Sequence, residues 1–143
     1  MTAKEYLSRI RRQNFILKRT EHELTEIRSD ILTSRASSLA EHVSGSKNSD
    51  VADKYIRLEQ YMDKVNHEWD ILINMRMEAK AMIKALPDPQ HQAVLYARYI
   101  NGLRWEAIAV EMGYSWKGVF KIHGQALQAF EQVHHDALAS KAS

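Results

Sequence analysis

Apolar residues recur through the first part of the chain at a strict seven-residue interval, Ile10, Leu17, Leu24 and Ile31, with Tyr6, Gln13, Thr20 and Ile27 as a mixed companion row. This spacing keeps one face of an α-helix turned toward a partner. Lys18, Arg19, Glu23 and Glu26 fall on the solvated side. The helix is expected to start at Thr2-Ala-Lys-Glu5, a capping box in which the Thr hydroxyl and the Glu carboxylate each take up a backbone N–H without a helical partner. Such a cap contributes about 1 kcal/mol. A second, stronger seam runs Val51, Leu58, Val65, Leu72, Ala79, Leu86, with Tyr55, Met62, Trp69 and Ile83 in the alternate positions and Arg76 as its one break. Asp50, with Asp53 three residues on, is its expected cap. A helix of about 35 residues reaches roughly 50 Å and needs a long partner. The first helix is the natural antiparallel one. On this reading Met62, Trp69, Met75 and Met82 belong to the core of a helical hairpin rather than to a cofactor box.

Between the two seams, Ser34 to Ser49 is rich in Ser and carries Gly45, Lys47 and Asn48, which predicts a flexible connection. Its Ser44-Gly-Ser-Lys47 lacks both the full spacing of a phosphate loop and a preceding strand, so no nucleotide site is assigned there. Leu86-Pro-Asp-Pro89 ends the second long helix and starts another. A residue before proline avoids helical geometry, and proline after an Asp cap is already set for the first helical position. The organisation expected is therefore a hairpin over residues 1–86, for dimerisation or partner contact, and a second module over 87–143.

In that module the pattern breaks into short pieces. Val94, Leu95, Tyr99 and Ile100 mark a first helix, closed by Asn101-Gly102. Trp105, Ile108, Ala109 and Met112 mark a second, which breaks at Gly113. The third begins at Ser115, a good N-cap, and shows Val119, Ile122, Ala126, Leu127 and Phe130 at helical spacing. Ala109, Gly113 and Val119 carry the information: a small residue where two helices cross, a glycine able to take positive φ in the turn, and an apolar residue that closes the small core. This is the pattern of a helix-turn-helix.

The run Leu86-Pro-Asp-Pro89, Leu95-Tyr-Ala-Arg98-Tyr99, Asn101-Gly102-Leu103, Trp105-Glu106-Ala-Ile108-Ala109, Met112-Gly113-Tyr114-Ser115 and Val119 to Leu127 resembles the promoter-reading C-terminal region of bacterial sigma factors. With the long N-terminal helical segment included, the chain resembles the phage regulators of the ArpU and RinA-like class. The resemblance implies transcriptional control, with activation of late phage genes, by a helix starting at Ser115 that enters the major groove. It also implies that Trp116, Lys117, Gly118, Phe120 and Lys121 face DNA. Sigma factors usually carry several Arg and Glu at these places; two Lys, two aromatics and a helix-weakening glycine stand there instead. Bidentate reading of guanine by Arg is absent from this surface. Trp116 and Phe120 are suited either to thymine methyls or to packing. Lys117 and Lys121, four apart, share a helical face, and Arg104 at the preceding helix start is expected on the same side as a phosphate contact.

Composition narrows the picture. Five Gly and two Pro among 143 residues leave room for a few long helices and argue against a many-stranded sheet, so the fold class is all-α. No Cys is present, which removes disulfides, thiolate nucleophiles and Cys-rich zinc sites and fits a reducing bacterial cytoplasm. Neither a membrane span nor a secretory leader is expected. With 20 Lys and Arg against 18 Asp and Glu, the net charge of +2 does not mark a nucleic-acid binder, so affinity must come from local charge and from doubled sites in an oligomer. Of the histidines, His134 and His135 are adjacent and point apart on a helix, and with Asp136 and His123 they make no expected metal site. No nucleophile elbow, HExxH or carboxylate pair is present, so neither catalysis nor a cofactor is expected. The function expected is a DNA-binding regulator whose partners are double-stranded DNA, a second copy of the chain and RNA polymerase. Two alternatives stand beside it, a small-terminase-like DNA-packaging recognition subunit and a helical adaptor that does not bind DNA.

Overall fold

A computed structural model of the chain describes the backbone of residues 1–41 and 46–141, and the side chains of residues 1–36 and 50–141. Among the described residues the protein is all-α, with six α-helices and no strand. They are α1 (Ala3–Glu41), α2 (Ser46–Lys84), α3 (Pro89–Leu95), α4 (Trp105–Met112), α5 (Trp116–Val133) and α6 (His135–Lys141), and α3 passes directly into a π-helical turn, Tyr96–Ile100. Two compact units result: Met1–Gln13 with Leu72–Ser143, and Asn14–Ile71.

The second unit is a pair of helices packed against each other. Leu17, Leu24 and Ile31 are buried as the seven-residue repeat requires, with Thr20 and Ile27 beside them. Thr20 is tolerated there because its hydroxyl donates to the Ile16 carbonyl one turn back, 3.1 Å away. The side of α2 that is turned inward differs from the expected one. Its companion row follows the main seam by three residues, not four, so Lys54, Tyr61 and Glu68 are buried or half-buried, while Tyr55, Met62 and Trp69 stay 43%, 40% and 42% exposed. The expectation that Met62 and Trp69 fill the hairpin core is thereby corrected. Lys54 reaches across to the Ser34 hydroxyl, a contact between helices that a row chosen by apolarity alone does not include.

The predicted connection is also shorter than expected. Residues 34–41 continue α1 and residues 46–49 already belong to α2, so Asp50 lies inside the helix rather than at its start. Serine lowers helix propensity only slightly, whereas Gly and Pro break helices, and that stretch holds a single glycine. Ser44, Gly45 and Lys47 of the phosphate-loop-like tetrapeptide lie outside the residues whose side chains are described.

The first unit gathers α3, α4, α5 and α6 with the last turns of α2 and the first turns of α1. Its core holds Leu7, Ile83, Leu86, Val94, Leu95, Ile108, Val119 and Phe130, each under 3% exposed. The capping box forms as predicted: Glu5 N–H donates to Thr2 Oγ1 at 3.1 Å and Thr2 N–H to Glu5 Oε2 at 3.0 Å. Beyond it, Tyr6 stacks on Phe130 with ring centroids 5.9 Å apart, and Ala3 N–H donates to Glu131 Oε1 at 3.0 Å. The Tyr6 hydroxyl donates to Glu78 Oε1 at 2.6 Å, and Lys141 pairs with the same carboxylate at 2.8 Å. Burial and the neighbouring carboxylate push the Tyr6 phenol well above its ordinary range, while Lys141 and Tyr6 hold Glu78 below its own.

Candidate nucleic-acid interface

The start of α3 is set by Asp88, whose carboxylate accepts from Gln90 N–H at 2.8 Å, with Pro89 in the first helical turn. After Leu95 the helix widens, so that Asn101 N–H donates to the Tyr96 carbonyl five residues back, at 2.9 Å. Widened turns leave carbonyls to be satisfied from outside. Arg76, the one break in the α2 seam, donates to the Ile100 carbonyl at 2.8 Å, and Arg98 donates to the Leu103 carbonyl at 3.0 Å. Both guanidinium groups thus tie down the segment that delivers the chain to α4.

The turn between α4 and α5 follows the expected chemistry. Gly113 sits at φ 72° and ψ 29° and closes α4 with its N–H near the last carbonyls of that helix. In that left-handed region a side chain costs about 1–2 kcal/mol. Tyr114 N–H donates to the Ala109 carbonyl at 3.0 Å, and Ser115 then caps α5, its Oγ accepting from Gly118 N–H at 3.2 Å. Ala109 and Val119 are 6% and 1% exposed, so the small residue and the closing residue both lie in the core. Asp88, Gly113 and Ser115 all act where their residue types point.

The first turns of α5 leave Trp116 and Phe120 49% and 45% exposed, with Lys117 and Lys121 exposed beside them. The two rings lie 6.1 Å apart, and Phe120 also rests on Trp105 at 4.9 Å, so the aromatics pack and remain accessible together. Ser115 is committed to its cap, and Gly118 is half-buried under Ser115 and Tyr114. Arg104 is exposed at the N-cap position of α4, where its side chain makes no cap bond. The groove of about 780 Å³ bordered by Lys80, Lys84, Gln92, Tyr96 and Asn101 shares no residue with α5.

Beneath Phe120 lies a set of residues that the sequence pattern alone does not single out. Trp105 meets His123 edge-on at 4.6 Å, and the Arg98 guanidinium sits 4.4 Å over the Trp105 ring. His123 Nε2 is 2.8 Å from the Tyr99 hydroxyl. Burial, then the Lys4 and Arg98 charges, bring His123 down to about 4, so its ring is neutral at physiological pH. Burial pushes Tyr99 up and Arg98 down, Arg11 adding to the latter. His134 is used structurally: its Nε2–H donates to the Met82 carbonyl at 2.6 Å and its ring lies 4.8 Å from Phe130. His135 is exposed one residue on. Among the described residues no helix is long and apolar enough to cross a membrane.

A family model described as a protein of unknown function, DUF1492, matches residues 31–131, more than half of the chain and the whole of the face built by α4 and α5 up to Glu131. No curated protein and no solved structure matches.

Proposed function

The chain belongs to the DUF1492 family, and we propose that it is a non-enzymatic, sequence-specific DNA-binding regulator of transcription that lays the first turns of α5 in the major groove. One observation carries this reading. A left-handed glycine and a serine cap join α4 to α5, and the first turns of α5 then present Trp116, Lys117, Phe120 and Lys121 to solvent over a closed core. A recognition helix needs that combination of fixed backbone and exposed side chains. Lys117 and Lys121, with Arg104, are assigned to phosphates, and Trp116 and Phe120 to the apolar edges of bases, the thymine methyl being the group they suit.

Two lysines on the reading helix give one copy little affinity, so the active species is a homodimer whose two heads bind together. Tyr55, Met62 and Trp69 support this: they form a partly exposed apolar row at seven-residue spacing on α2, which a second copy would cover. The likeness to sigma-type and ArpU-type regulators extends the proposal to a phage or prophage activator that touches RNA polymerase.

The test is retention of the full chain on immobilised duplex DNA, followed by sequencing of the fragments it selects from a genomic pool. A few enriched promoter sites held by a dimer support the reading. Rings of higher order on light scattering turn it toward a packaging subunit, and absence of retention at low salt toward an adaptor. Lys121→Ala should weaken binding and reduce the slope of log K against log salt by about 0.9, the share of one phosphate contact. An unchanged slope removes Lys121 from the interface.

A further inference from the structure

We propose that the first turns of α1 belong to the same DNA-binding surface, where Lys4 and Arg11, together with Arg98, hold a backbone phosphate beside the groove that α5 enters. This inference rests on the DNA-binding reading of α5 and extends it to a part of the chain about a hundred residues away.

Lys4 and Arg11 are seven residues apart in α1, two turns along one face, and both are exposed. Arg11 Nη1 donates to the Arg98 carbonyl at 3.4 Å. The Arg98 guanidinium lies over Trp105, Trp105 meets Phe120 at a tilt, and Phe120 reaches Trp116 at the tip of α5. A continuous path of contacts therefore joins Arg11 to the exposed aromatics, and Lys4 lies two turns away on the same face of α1. Charge agrees with geometry: Arg11 acts on Arg98, and Lys4 and Arg98 both act on His123, so three cations share one neighbourhood, with Glu106 the acid that faces Arg98. Gathering like charges is unfavourable without an anion, and a phosphodiester accepting from a guanidinium and an ammonium is the anion a DNA duplex supplies. Arg9 is turned elsewhere. It lies 5.6 Å from the Tyr6 ring, on the side of Glu78 and Lys141.

The experiment compares the full chain, the Lys4→Gln/Arg11→Gln double variant, Arg9→Gln and Lys121→Ala on a fluorescent random-sequence duplex between about 50 and 200 mM salt. The double variant is expected to lose about 0.9 from the salt slope, the share of the one phosphate these cations hold, with its preference among sequences and its melting temperature unchanged. Arg9→Gln should behave as the parent. Arg11→Lys keeps the charge and gives up the guanidinium bond to Arg98; a retained slope supports phosphate contact, and a lost one means Arg11 serves only to hold Arg98. A double variant with the parental slope, while Lys121→Ala flattens it, overturns this inference and leaves the α5 reading standing. If the parent itself does not bind the duplex, the α5 reading falls first and this one with it.

Discussion

Placing the same residue change at two glycines separates backbone conformation from packing. At Gly113 an added Cβ meets nothing within 4 Å, so an Ala there pays no steric contact and the whole effect lies in φ 72°. The left-handed region costs a residue with a Cβ about 1–2 kcal/mol, offset by about 0.4–1 kcal/mol from a less free unfolded chain; Gly113→Ala should destabilise by about 1 kcal/mol. Gly124 is the counterpart, exposed in the interior of α5 with open space around its Cβ position. Ordinary helical geometry there makes Gly124→Ala stabilising by about 0.8–1 kcal/mol. Urea unfolding followed by far-UV circular dichroism should therefore split the two variants by about 2 kcal/mol at a common m-value. On melting this amounts to about 4 °C per kcal/mol for a chain of this size. Gly118 is the wrong place for the comparison, because its Cβ would touch Ser115 Oγ at 3.4 Å and Tyr114 at 3.5 Å, so packing would change along with conformation. Two shifts in the same direction would falsify the claim that the α4–α5 turn depends on a left-handed residue.

Phe130→Ala removes the largest fully buried side chain and the ring on which Tyr6 and His134 rest, and should cost about 3–5 kcal/mol by denaturant unfolding. Amide exchange in the first turns of α1 should quicken in that variant, whereas protection equal to the parent's would show that those turns do not depend on Phe130. His123 has a folded pKa of about 4 against its ordinary 6.5, so between those values the unfolded chain binds the extra proton. Stability should then fall as pH drops from about 6.5 to about 4, with nothing further lost to this group below. His123→Gln should flatten that part of the stability profile relative to the parent, and a parallel pair of profiles would refute the assignment.

Much of the architecture is legible from single residues where one chemical need decides the outcome. Thr2 with Glu5, Asp88 with Pro89, Gly113 and Ser115 each satisfy a local requirement, an N–H to be capped or a φ to be reached, and each stands where it was expected. The row Ile10, Leu17, Leu24, Ile31 is equally plain because apolar type and inward position coincide. They part company on α2. The inward row there includes Lys54 and Glu68, while Met62 and Trp69 look outward in part, so a reading that follows apolarity selects the neighbouring row. Tertiary partners explain the rest. Arg76 looks like a flaw in a heptad until the Ile100 carbonyl is known, and the widened turn at Tyr96–Ile100 follows no periodicity visible in its five residues. The face built by Trp105, Phe120 and His123 joins residues from two helices, and its flanking cations come from α1 and the Tyr96–Ile100 turn. Of the candidate interface Arg104 and the α5 residues could be named from the sequence, whereas nothing in its pattern brings Lys4, Arg11 and Arg98 beside them.

The bond from Ala3 to Glu131 spans 128 positions. A chain made at about 5–20 residues per second leaves Ala3 without Glu131 for roughly 6 to 26 s, and loops of such length are slow to close. During that interval the Asn14–Ile71 helices already have all their residues, while Tyr6 and Leu7 have yet to meet the ring and helices that cover them. The order of synthesis thus imposes a sequence of events: the residues of the helical pair are all made early, and the unit that carries α5 is sealed later, when Glu131 meets the start of α1.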